Sequence, residues 1–118
     1  MTETQLQIAV FAWAKQQYTK APELALMYHI PNEGLRDPKT GAIAKRKGVK
    51  QGVPDICLPV PRSGYPALYI ELKSDKGKVS QAQSKYIKAL IDVGCAVAVI
   101  DNLDECKRLI SQYITGQL

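Results

Sequence analysis

The chain has 118 residues, 46% of them hydrophobic, and carries a net charge of +5 at pH 7. That length sustains one packed domain, residues 1–118, without room for a separate targeting module. Its apolar runs fall well short of a membrane span, its start lacks a signal peptide's basic-then-apolar layout, and it has no repeat. Membrane, secreted and solenoid classes are therefore not expected.

A first helix is predicted over 3–18, because Thr2 and Gln5 have capping-box spacing and Leu6, Val10, Trp13 and Ala14 form an apolar stripe. Pro22 ends the following turn, and "LALMYHI" (24–30) reads as a strand. Next comes a glycine-punctuated segment, 32–50, read as a flexible loop. It holds Arg36, Lys39, Lys45, Arg46, Lys47 and Lys50 against Glu33 and Asp37, which is +4 of the total +5. Such a loop suits a polyanion partner, usually nucleic acid, and equally suits a solvated loop; charge alone does not decide.

Two short strands, "DICLPV" (55–60) and "ALYIELK" (67–73), flank a turn whose Pro59, Pro61 and Pro66 make its tip irregular. Ser80 caps a helix that runs to about residue 93, with Gln83 at its third position and Gly94 as its stop. "CAVAVI" (95–100) reads as a buried parallel strand, and an amphipathic helix follows from Asn102, with Glu105 completing a box, to just before Gly116. The order predicts an α/β fold, a mixed sheet flanked by helices, whose last two strands run parallel through a right-handed crossover. Cys57, Cys95 and Cys106 lack metal-ligand spacing and sit in apolar patterns, as reduced thiols of a cytoplasmic protein do.

The chemistry concentrates at 55–73. Strand alternation puts Tyr69, Glu71 and Lys73 on one face and Leu68, Ile70 and Leu72 on the other. A hairpin turning about Ser63 sets Asp55 opposite Glu71, and like charges there repel unless a cation lies between them. A two-residue slip keeps the parity and hence the inference. The bland alternative is an exposed face on which Glu71 and Lys73 are merely solvated. The apolar flanking strand and the helices on either side of it in the chain count against that. An acidic pair with a lysine fits metal-assisted phosphodiester hydrolysis. Mg²⁺ takes one or two carboxylates and keeps waters, and a lysine orients the attacking water and meets developing charge. The Leu72 carbonyl is a third oxygen within reach.

"GVPD" (52–55) followed by "IELK" (70–73) resembles the PD-(D/E)XK nuclease motif. The element order is similar to that superfamily's restriction-endonuclease-like α-β-β-β-α-β core with an extra C-terminal helix. More specifically, nearly the whole chain resembles a stand-alone VRR-NUC domain (virus-type replication-repair nuclease). Glu3 and Gln7, "HIPNEG" (29–34) and "SQAQSKY" (80–86) support this.

The resemblance implies Asp55, Glu71 and the Leu72 carbonyl as ligands of Mg²⁺ or Mn²⁺, with Lys73 as the catalytic lysine. Glu3 joins them directly or through water, or is simply a first-turn carboxylate favoured by the helix dipole. Gln83 joins the catalytic set, or is the reciprocal half of a capping box with Ser80. Asn32 supports a phosphate, or is a turn residue. Arg36, Lys45, Arg46, Lys47 and Lys50 track phosphates without reading sequence. His29, the lone histidine at a strand end, is read as structural. The implied activity is metal-dependent DNA endonuclease cleavage, either structure-selective on branched or junction DNA or nonspecific, in replication, repair or recombination. One site per chain implies a homodimer for symmetric cutting. The rival reading is a DNA-binding module that kept the fold and lost catalysis, whose binding is indifferent to Mg²⁺.

Overall fold

The computed structural model describes residues 1–31, 38–74 and 77–118. The first helix, α1 (Glu3–Gln16), starts where its capping box dictates. The Thr2 hydroxyl accepts the Gln5 N–H at 3.1 Å, and the Gln5 side chain accepts the Thr2 N–H at 2.9 Å. Leu6, Val10 and Ala14 are buried along one side, with Trp13 half-buried beside them.

Residues 24–30 do not form the expected strand. Pro22 sets a helical φ at the first position of a 3-10 turn, Pro22–Leu26, which drives Leu24 into the core. Extended pairing is left to β1 (Tyr28–His29), prolonged by the Ile30 N–H donating to the Asp55 carbonyl at 2.7 Å. The basic segment also differs from a free loop, since its middle forms α2 (Pro38–Arg46). Proline at a first helical position has no N–H to lose, and Ala42, Ala44, Lys45 and Arg46 favour helix.

The sheet order is β1-β2-β3-β4, with β2 (Ile56–Leu58) antiparallel to both neighbours and β3 (Leu68–Leu72) parallel to β4 (Ala96–Ile100). The pairs Ile56↔Ile70, Cys57↔Tyr69 and Leu58↔Leu68 give the expected register. The hairpin tip is out of step with it. Arg62 pairs with Tyr65 across Ser63 and Gly64, both with positive φ (53° and 81°), as a two-residue primed turn requires. Residues 59–61 on one side and 66–67 on the other absorb the one-residue difference, and all three prolines of the hairpin lie there.

Ile56, Leu58, Leu68, Ile70 and Leu72 share the face buried with α1 and with α4 (Leu103–Ile114), which contributes Cys106, Ile110 and Tyr113. The opposite face carries Cys57, Tyr69 and Glu71. There α3 (Gln81–Asp92) brings Gln83 of its first turn onto Glu71. The apolar run 95–100 is parallel as expected but lies at the sheet edge, so Val97 and Ala98 are only half-buried and Val99 is 44% exposed. Among the described residues, no helix is long and apolar enough to cross a membrane.

Tyr113 clasps the hairpin to α4. Its fully buried hydroxyl donates to the Val60 carbonyl at 2.6 Å, while its own carbonyl accepts the Ser63 hydroxyl at 3.0 Å. Tyr113→Phe leaves the Val60 carbonyl without that donor and should lower stability by about 1–3 kcal/mol. Urea denaturation checks this, and an unchanged midpoint would show that the clasp contributes nothing.

Candidate active site

The strand register delivers the acidic pair. Glu71 lies on β3 and Asp55 one residue before β2, and the ladder that joins Ile56 to Ile70 sets them opposite each other. Asp55 is half-buried, Glu71 is 2% exposed and the Lys73 side chain 13%. The trio is therefore not a solvated sheet face.

Proline at 54 shapes the backbone between the two strands. One further step of the register would place Leu72 opposite Pro54, which has no N–H to donate. That leaves the Leu72 carbonyl without a ladder donor from Pro54, while the Leu72 N–H donates to Asp55 Oδ2 at 2.8 Å. In an extended strand a residue's N–H and C=O point the same way, so the Leu72 carbonyl also faces the Asp55 side. The Lys73 N–H points away, to the Ile100 carbonyl at 2.9 Å.

Gln83 fills both of the roles its sequence position allows. Its Oε1 accepts the Ser80 N–H at 2.8 Å, closing the capping box of α3, and also accepts from Lys73 Nζ at 2.9 Å. Its Nε2 donates to Glu71 Oε2 at 2.8 Å. One amide thus fixes the carboxylate and the ammonium together, with Lys73 Nζ 3.2 Å from the same Glu71 oxygen. Gly52, the first residue of "GVPD", holds this geometry. It has φ +86°, and a Cβ there would lie 2.5 Å from the Ala82 carbonyl oxygen and 3.0 Å from the Gln83 nitrogen. An isolated glycine just before "VPD" is the available sign of such a close backbone approach.

Burial pushes the Glu71 carboxyl up from 4.5 to about 7. Asp55 and, more weakly, Glu3 add to the rise, against the hydrogen bond and charge of Lys73. Desolvation and repulsion therefore outweigh the lysine, by about 3 kcal/mol at 1.36 kcal/mol per pKa unit. Asp55 is raised as well, by burial first and by Glu3, against the Leu72 N–H, His29 and Lys73. His29 Nδ1 lies 2.8 Å from the Asp55 carbonyl oxygen, which can only accept, so this nitrogen carries a proton and holds the main chain of Asp55.

Glu71 Oε1 is buried and has no hydrogen-bond partner among the described residues. A buried, unpartnered carboxylate oxygen beside a second carboxylate and a main-chain carbonyl is a hard, all-oxygen donor set. It fits Mg²⁺ or Mn²⁺. Glu3, exposed on the first turn of α1, lies within electrostatic reach of both carboxyls. Among the described residues, however, no three His, Cys, Asp or Glu side chains gather closely enough to share an ion.

Of the basic candidates, Lys47 and Lys50 line a groove with Tyr28, His29 and Tyr69, next to the acidic pair. Arg46 faces a separate hollow with Ile43 and Lys47, and Lys45 is exposed at the end of α2. Asn32 and Arg36 lie outside the described residues.

The VRR-NUC domain family matches residues 1–102. The chain belongs to the VRR-NUC family. A solved chain titled "VRR_NUC domain protein" is similar over 98% of this chain and 89% of its own, with 32% identity and a TM-score of 0.83. No curated protein matches. This VRR-NUC domain is thus a nuclease-fold protein of a kind that acts on DNA.

The raised Glu71 carboxyl sets a pH dependence without metal. The folded state holds its proton more tightly than the unfolded chain, so stability falls as pH rises from about 4.5 to about 7. Glu71→Gln removes that loss. In EDTA the variant should gain on wild type by about 2–3 kcal/mol between pH 4.5 and pH 8. Urea titrations at the two pH values measure it, and a constant difference would mean that Glu71 ionises normally.

Proposed function

We propose that this VRR-NUC domain is a metal-dependent DNA endonuclease that hydrolyses phosphodiester bonds. The observation that carries the reading is the buried Glu71 carboxylate opposite Asp55, whose Oε1 has no hydrogen-bond partner among the described residues, while Gln83 and Lys73 hold its Oε2. A purely structural or DNA-binding role has no use for a carboxylate kept at that energetic cost.

Asp55, Glu71 and the Leu72 carbonyl would hold the ion, with Glu3 linked through water. A bound Mg²⁺ or Mn²⁺ supplies Lewis-acid neutralisation of the phosphate and a more acidic water. Lys73 would orient the attacking water and meet the charge growing on the phosphate oxygens. Gln83 keeps the ammonium from collapsing fully onto Glu71, since it offers Lys73 a neutral acceptor at 2.9 Å. Lys45, Arg46, Lys47 and Lys50, with Asn32 and Arg36, supply phosphate contacts that carry no sequence information. No recognition helix or zinc module is seen in the sequence, so the selectivity we propose is for DNA structure, such as branches or junctions, in replication, repair or recombination. Two copies in a homodimer would allow symmetric cutting. The open edge of β4 and the exposed Ile91, Val93 and Val99 are compatible with such pairing.

The test is cleavage of a labelled four-way junction, flap, linear duplex and supercoiled plasmid in Mg²⁺, Mn²⁺ or EDTA. Wild type should cut only with metal. Lys73→Ala and Asp55→Ala, each checked for folding, should lose at least about 100-fold in rate. Binding without cutting under every condition, unaffected by metal, would make the chain a nuclease-fold DNA-binding module instead.

A further inference from the structure

The groove beside the acidic pair has a composition that phosphate tracking does not explain. It encloses about 510 Å³ and brings together three tyrosines from three elements, Tyr28 of β1, Tyr69 of β3 and Tyr86 of α3, with Lys47 and Lys50 on its rim. Tyr28 and Tyr69 share one sheet face on either side of Cys57, which pairs with both, so they lie two strands and about 10 Å apart. Tyr28 is 50% exposed, and the other two rings are partly exposed. A surface that needed only to attract a duplex backbone would be served by lysines alone, and half-exposed aromatic rings would be a liability there.

The groove is tied to the proposed catalytic site through residues that neighbour it in chain and register. His29 lines it and holds the Asp55 carbonyl, and Val53 lines it two residues before Asp55. Tyr69 is two residues before Glu71 on the same strand face, about 7 Å away along the strand. A strand with one phosphate at the acidic pair would therefore lay its neighbouring nucleotide over the tyrosines.

A base within a duplex already has both faces covered by its neighbours and offers a protein only its edges. An unpaired base has a free π-face, which an aromatic side chain takes without regard to sequence. Lysines flanking aromatic rings are the combination that single-strand-binding surfaces use. We propose that this groove binds an unpaired nucleotide of the DNA substrate, stacking its base on Tyr28 and Tyr86 and its phosphate on Lys47 and Lys50. The inference rests on the nuclease reading and sharpens it. The preferred substrate has single-stranded character next to the scissile phosphate, as a flap, a fork or an opened junction arm does. Intact duplex is the poorer ligand.

Fluorescence anisotropy tests this with a labelled 12-nucleotide oligo-dT, a 12-base-pair duplex and a fork, with Ca²⁺ in place of Mg²⁺. Tyr28→Ala and Tyr86→Ala should each weaken oligo-dT and fork binding by about 5- to 100-fold while changing duplex binding much less. Tyr28→Phe and Tyr86→Phe should restore binding, because the ring and not the hydroxyl makes the contact. Tyr28 borders the Cys57 thiol, so Tyr86→Ala on α3 serves as the independent variant should Tyr28→Ala melt early. Folded alanine variants that bind oligo-dT like wild type overturn the proposal, as does an equal loss on oligo-dT and duplex. Tyrosine-dependent oligo-dT binding by a wild type that cuts no DNA with any metal would support the groove and sink the nuclease reading.

Discussion

The burial of Glu71 is the constraint on which the rest of the site depends. A carboxylate that is 2% exposed, with a second carboxylate opposite, is unfavourable on both counts that raise a pKa. Lys73 offsets part of this and Gln83 another part, and the carboxyl still titrates near 7. A charge left so incompletely compensated is weak evidence for stability and better evidence for use. Among the described residues nothing pairs with Oε1, and a divalent cation would match that deficit in charge and hardness, which is the basis of the metal proposal.

The surrounding chain is arranged to keep that oxygen where it is. Leu68, Ile70 and Leu72 lock β3 into the core from the other face, so Glu71 cannot turn outward without shifting the whole register. Pro54 withdraws one ladder donor, which leaves the Leu72 carbonyl unclaimed by that position on the side where the Leu72 N–H donates to Asp55. Gly52 lets the "VPD" segment press against the first turn of α3, the turn that presents Gln83. Each of these is a backbone device serving one side-chain constellation. The helix cap at Ser80 is tied to the same group, so the start of α3 and the site are stabilised together.

Much of this was legible in the sequence, because strand alternation and hairpin register are arithmetic. Once 55–60 and 67–73 were read as paired strands, the facing of Asp55 and Glu71 followed, and it survived an unforeseen one-residue offset at the tip. The two readings of Gln83 were both visible, but their coexistence was not, since one amide serving a cap and a site depends on three-dimensional closeness to Lys73. Other features were hidden for separate reasons. Segment 24–30 has strand-like residues, yet Pro22 and the burial of Leu24 favour a tight turn. The helical part of the basic segment was hidden by the glycines that punctuate it, although its alanines, Lys45 and Arg46 favour helix. An apolar run such as 95–100 does not say whether it sits at the centre or the edge of a sheet. The tyrosine groove combines residues 28, 69 and 86 with the segment after α2, and no local pattern joins them.

Calorimetric titration of Mn²⁺ tests most directly whether Glu71 is the ion-holding group. Paired buffers of different ionisation enthalpy report the protons released on binding. Because Glu71 titrates near 7, wild type should bind one ion and release most of a proton per ion at about pH 6, and little at about pH 8. Glu71→Gln should bind far more weakly and release none from this site. Equal Mn²⁺ binding by wild type and Glu71→Gln, or binding without pH-dependent proton release, would contradict the assignment of this carboxylate to the metal.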